Sequence, residues 1–263
     1  MIKKRILVSI VSSVFMLGGL YGCGKNESHN STSPQQTSNP QKASNPASSS
    51  NTQPPPAAAA AGALSKADLS FPLGSYQHLG MDVPHWMAMY YGIANINPIP
   101  YNKFADQMVN GYQYEQNPFT KQKELKQIVP EVTQMVSESA KNRYYVMLAN
   151  VNIGNYDMTT KAFPIQAFGG GSFYQQGNYG LTFSNGSHFN SYPVSNQGDA
   201  ENLENTLQSI GNVVLAKVYF YAQGTEYSMS GLPTYTTVGQ ITKVVFYTQN
   251  NTTTPLLKLG QAG

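Results

Sequence analysis

Val213-Val214-Leu215-Ala216-Lys217-Val218-Tyr219-Phe220-Tyr221-Ala222 is a run in which Lys217 is the only charged residue, and its reading decides the fold. Alternate residues of a strand share a face, so Val214, Ala216, Val218 and Phe220 line one side, and Val213, Leu215, Tyr219 and Tyr221 the other. Apolar and aromatic residues on both faces predict a strand in the middle of a sheet. The segment from Gly239 to Thr248, with Ile241, Val244, Val245, Phe246 and Tyr247, has the same character. Gly224, Gly231 and Pro233 lie between the two runs, which predicts an antiparallel pair joined by a long loop.

Upstream of this pair, Arg143 to Ile153 and Lys161 to Phe168 are rich in strand formers. Tyr179 to Phe183 and His188 to Tyr192 flank Ser184-Asn185-Gly186-Ser187, where Asn-Gly predicts a type I′ hairpin turn. Ala200 to Ser209 predicts a short helix, with Asp199 and Glu201 favoured by the positive end of its dipole. Before Arg143 the apolar period lengthens to that of a helix. Asp82 is placed to cap a helix that has Pro84 in its first turn and carries Trp86, Met87, Met89, Tyr90 and Ile93. Pro98 and Pro100 end it. Phe104, Met108 and Tyr112 mark a second helix, from Tyr101 to about Gly111. Asn117-Pro118 opens a third, with Leu125, Ile128 and Val129 on one stripe; Pro130 either kinks it or starts another, which runs through Val132, Met135 and Val136 to about Ala140. The expected domain, residues 64–263, is therefore α+β: an N-terminal helical segment packed on an antiparallel β-sheet or sandwich.

A disordered tether is expected before this domain. Residues 24–63 are mostly Ser, Asn, Gln, Thr, Pro and Ala, with almost nothing apolar to offset the entropy of ordering. A flexible chain of that length has a root-mean-square span of about 35 Å, and reaches roughly 130 Å at full extension. At its start lies Cys23, the single cysteine of the 263 residues. Ahead of it come Lys3, Lys4 and Arg5, then an apolar stretch from Ile6 to Leu20, which is short for a bilayer span and reads as a secretion signal over residues 1–22. Leu20-Tyr21-Gly22-Cys23 resembles a bacterial prolipoprotein lipobox. That resemblance implies acylation of Cys23, cleavage before it, and an anchor in the lipid bilayer of the cell envelope. Gly24 rather than an aspartate at the next position implies the outer membrane. A free thiol in an oxidising compartment would invite intermolecular disulfides, and acylation removes that hazard. Three acyl chains hold a protein on a membrane where one gives only marginal attachment.

Sixteen basic residues against thirteen acidic ones give the whole chain a net charge of +3. Removing residues 1–22 takes away Lys3, Lys4 and Arg5 and leaves the two signs balanced, with Arg143 the only arginine. A nucleic-acid partner, which requires a clustered basic face, is therefore not expected.

Catalytic patterns are sparse. His78, Asp82 and His85 are the only local grouping of metal-ligand types, and Gly80 interrupts any single helix that would present them; no metal or other cofactor is expected. No serine stands in a G-x-S-x-G elbow, and Gly169-Gly170-Gly171-Ser172 lacks the spacing of a phosphate-binding loop, so it reads as a flexible loop. Asp157, Asp199, Glu201, Glu204 and Glu226 are scattered, and the sequence does not pair them at the separation glycoside cleavage needs. What the domain has in excess is tyrosine and amide. Tyr174, Gln176, Tyr179, Asn185 and Tyr192 are the candidate ligand-binding surface, since tyrosine offers contact area at low entropy cost and amides both donate and accept.

The domain is similar to uncharacterised bacterial envelope lipoprotein domains through Asn117-Pro118-Phe119, Tyr156-Asp157 and Ala216-Lys217-Val218-Tyr219-Phe220, over about two thirds of its length. The similarity supplies no activity. The expected function is a membrane-anchored envelope lipoprotein with a non-catalytic structural or binding domain for a protein or glycan partner. The alternative is a periplasmic or surface hydrolase acting on envelope polymers.

Overall fold

The computed structural model describes residues 64–169, 173–228 and 234–260. The predicted signal segment, Cys23, the tether and Gly170 to Ser172 lie outside the described residues. The domain is α+β, with four α-helices among the described residues: α1 (Val83–Ile93), α2 (Tyr101–Met108), α3 (Pro118–Lys141) and α4 (Gln197–Ser209). Its strands are β1 (Gln77–His78), β2 (Tyr144–Asn152), β3 (Ala162–Pro164), β4 (Tyr174–Gln176), β5 (Tyr179–Phe183), β6 (Ser191–Pro193), β7 (Val213–Ser228), β8 (Thr234–Tyr247) and β9 (Leu257–Gly260).

The main sheet has the order β1-β2-β7-β8-β5-β4, with β9 also on β8, while β3 and β6 form a separate pair. Most pairings are antiparallel; β1 with β2 and β5 with β8 are parallel. The central pair forms as its composition requires. Val214, Ala216, Val218 and Phe220 are fully buried, and Ile241, Val244 and Phe246 meet them from β8 in one apolar core. Val213, Leu215, Tyr219 and Tyr221 point to the other face and are half-buried. The loop is shorter than expected because β7 runs on to Ser228 through two register shifts, at Tyr219/Phe220 and Ala222/Gly224. Gly224 is thus part of the strand, at one of the irregularities that re-aim an edge or a side chain.

Three sequence expectations are corrected. Asn185-Gly186 is not a hairpin turn. Asn185 has φ −116°, a short 3-10 turn follows from Gly186 to Phe189, and β5 pairs with β4 and β8 rather than with the next segment. The cause is local capture: the Asn185 amide donates to the Ile241 carbonyl and accepts from the Ile241 N–H, both at 2.8 Å. A Cβ on Gly186 would lie 1.8 Å from the Phe168 carbonyl oxygen, so the glycine serves a close approach and not a positive φ. Lys161 to Phe168 contributes only the three residues of β3, and the strand expected from His188 to Tyr192 is reduced to β6. Lys161 has a positive φ of 53°, and Pro164 offers no donor to a longer ladder.

In α1 the Asp82 carboxylate accepts from the His85 N–H at 3.1 Å and Pro84 sits in the first turn. Every residue from Trp86 to Ile93 is buried, as in a helix enclosed on all sides. The approach of α3 to α1 depends on Gly92, where a Cβ would meet the Val136 carbonyl oxygen at 2.7 Å. Helix α3 is continuous through Pro130 and buries Ile128, Val132, Val136 and Ser139 on one stripe. Met108 ends α2, and Tyr112 follows in a 3-10 turn instead of extending it. No helix among the described residues is long and apolar enough to cross a membrane.

Candidate functional site

Tyrosines from four elements, α1, β5, β7 and β8, meet where α1 approaches the sheet. Tyr179 stacks on Tyr235, its neighbour across β5 and β8, with centroids 5.1 Å apart and planes at 20°. Tyr90 of α1 meets Tyr235 edge-on at 5.3 Å, and Tyr227 of β7 lies 5.1 Å from the same ring. The Tyr179 hydroxyl donates to the Tyr91 hydroxyl at 3.3 Å inside the protein. Burial, reinforced by Tyr91 and Tyr235, pushes the Tyr90 hydroxyl up to about 12. Tyr179 is raised still more strongly, again by burial first. These hydroxyls are neutral donors and acceptors at physiological pH.

A cleft of about 280 Å³ opens beside this cluster, lined in part by Lys103, Asp106, Gln107, Asn178, Tyr179 and Tyr235. The Lys103 ammonium donates to the Tyr235 hydroxyl at 3.4 Å and lies 5.3 Å from its ring centre. Burial would lower the Lys103 pKa, but Tyr91 and Tyr235 outweigh it, so the pKa is raised and the amine stays charged. Helix α2 positions Lys103, Asp106 and Gln107 on one exposed side, because its opposite side fixes Phe104 and Ala105 in the core. Asn178 is held by its carbonyl, which accepts from the Tyr235 N–H at 2.9 Å. An ammonium, a carboxylate, two amides and a phenol thus converge on a space close to the lower end of the roughly 300–1,000 Å³ range of small-molecule sites.

The sequence-predicted surface is not brought together. Tyr179 lines the cleft but is only 6% exposed. Tyr174 donates from its hydroxyl to the Ala167 carbonyl at 2.9 Å and rests its ring on Phe183. Asn185 is committed to Ile241. Gln176 stands opposite Tyr179 across the β4–β5 pair, and half-buried Tyr192 stands opposite Phe163 across β3 and β6. Sequence reading missed Lys103, Asp106, Gln107 and Tyr235. They come from α2 and β8, far apart in the chain, and no local spacing unites them.

Asp82 and His85 form a carboxylate–imidazole pair, with His85 Nδ1 at 2.7 and 2.8 Å from the two carboxylate oxygens. Burial would raise the Asp82 carboxyl, but hydrogen bonds from the His85 side chain and amide hold it below its ordinary value. No group of three or more His, Cys, Asp or Glu side chains that could hold a metal occurs among the described residues. Glu201 and Glu204 share a hollow of about 270 Å³ with Tyr156 and Met158. Both Glu204 oxygens are engaged there, one by the Tyr156 N–H at 2.7 Å and the other by the Gln208 amide at 2.8 Å. No family model, curated protein or solved structure matches the chain.

Proposed function

We propose that this chain is an envelope lipoprotein, tethered to a bilayer through acylated Cys23, whose folded domain is a non-catalytic module that recognises a glycan. In this reading residues 24–63 are a disordered leash and the helical half of the domain caps one face of the sheet. The observation that carries it is the cleft over Tyr235, where Lys103, Asp106, Gln107 and Asn178 supply donors and acceptors beside an aromatic ring. Such an array pairs with the hydroxyls of a sugar. A stable protein interface removes about 800 Å² from each partner, far more than a cleft of this size offers, which favours a glycan over a folded protein.

Titration calorimetry of the full chain against envelope glycan fragments tests the reading. Tyr235→Ala and Lys103→Ala are each expected to weaken binding by about tenfold, the effect of losing one charged or aromatic contact of about 1.4 kcal/mol. Binding that both variants retain at full strength, or no binding to any fragment, overturns it. Release of new reducing ends, abolished by Glu201→Gln, would instead favour the alternative of a hydrolase working in the Tyr156 hollow.

A further inference from the structure

The face of the sheet turned away from the main core carries a second pattern. Across β2, β7, β8 and β9 the pairing register lays out one row of Leu148, Lys217, Val245 and Lys258, and the next row of Val146, Tyr219, Lys243 and Gly260. A third row holds Asn150, Leu215 and Tyr247. Three lysines therefore stand on three adjacent strands with aliphatic and aromatic side chains between them, and these rows contain no carboxylate. The Lys217 ammonium lies over the Tyr247 ring, 4.9 Å from its centre, a cation–π contact that holds a positive charge on this face. Val146, Val245 and Tyr247 are buried but belong to no part of the main core cluster, and Leu148 is 38% exposed.

The chain enters the domain on this same face. Ser65 hydrogen-bonds the Tyr221 hydroxyl at 3.1 Å, Ala67 donates to Gln240, Phe71 stacks on Tyr144 at 3.9 Å, and Tyr76 meets the Tyr219 ring. Residues 65–76 thus cover one end of the face, and the lysine rows continue beyond them. Helix α4 carries Asp199, Glu201 and Glu204 with no lysine or arginine and joins the main core through Ala200 and Leu207, while α3 mixes four lysines with three glutamates.

We propose that this sheet face rests on an anionic phospholipid surface and orients the domain on the bilayer. The proposal rests on the tether reading for delivery: the expected tether joins the domain at Leu64, next to the residues that pack on this face. Ordered lysines over tyrosine and aliphatic side chains match the boundary between headgroup and acyl chain.

The test uses the full chain on vesicles of phosphatidylcholine alone or mixed with phosphatidylglycerol, with lysine acetylation read by mass spectrometry. Lys217, Lys243 and Lys258 are expected to react about fivefold more slowly on the anionic vesicles, while Lys121, Lys123 and Lys126 are unchanged. Replacing Lys217, Lys243 and Lys258 by Gln together removes the preference for anionic vesicles, on the order of a hundredfold. Uniform shielding of all six lysines, shielding of none, or shielding of the three only by a soluble anionic polysaccharide overturns the proposal. Failure of the anchor reads differently: the chain leaves neutral vesicles, while shielding on anionic ones still decides the face.

Discussion

Asn185 is the residue whose behaviour departs most from its sequence context. An Asn-Gly pair between two β-rich runs predicts a turn, because the spacing of strands and turn residues is all that a linear reading contains. The flank of β8 opposite β7 is shared: β5 pairs with Tyr235 to Gly239, and β9 with Lys243 to Phe246. The Asn185 amide occupies the stretch between them and satisfies both backbone groups of fully buried Ile241. Asn185→Ala is expected to lower unfolding stability by about 2–4 kcal/mol, because two backbone groups are then left unpaired in the interior. Asn185→Asp keeps an acceptor but loses the donor, so it is expected to fall between alanine and wild type in urea unfolding at neutral pH. An alanine variant as stable as the wild type would remove this role.

At the scale of elements, the strongly periodic segments were legible and their partners were not. Each face of β7 follows directly from alternation, and α1 and its cap follow from Asp82 and Pro84. The parallel partnership of β5 with β8 was hidden, because Val238 and its neighbours enter the ladder opposite residues more than fifty positions earlier. The tyrosines and amides chosen as a surface were read from composition, which does not say which side of a strand faces inward. Hence Tyr179 became core and Tyr174 a tie to Ala167. The cap of α1 gives a pH-dependent prediction. Asp82→Ala is expected to cost about 1 kcal/mol at neutral pH. Asp82 titrates lower in the folded state than in the unfolded chain, so its contribution is fully present above the unfolded value of about 3.9 and fades as pH falls through the folded value. Thermal unfolding of wild type and variant should therefore converge in acid below that point; a gap that widens there would contradict the assignment.

For the whole molecule, the proposed address rests on one contiguous run of residues and the proposed recognition does not. The basic, then apolar, then cysteine-terminated run expected to be a leader is contiguous, whereas the cleft is lined from α1, α2, β5, β8 and the turn between β4 and β5, and of the candidate surface residues only Tyr179 reaches it. Cys23→Ala is expected to move the chain from the membrane fraction to soluble or unprocessed forms, as fractionation and mass spectrometry would read it. A fully processed variant that still sediments with membranes would refute the anchor.

The divided flank of β8 also settles how the domain tolerates injury. The length that carries Tyr235 leans on β5, and the length from Lys243 to Phe246 leans on β9, so losing β9 would leave the walls of the cleft in place while baring a ladder of amides. Removing β9 would make the protein sticky before it disturbed the cleft.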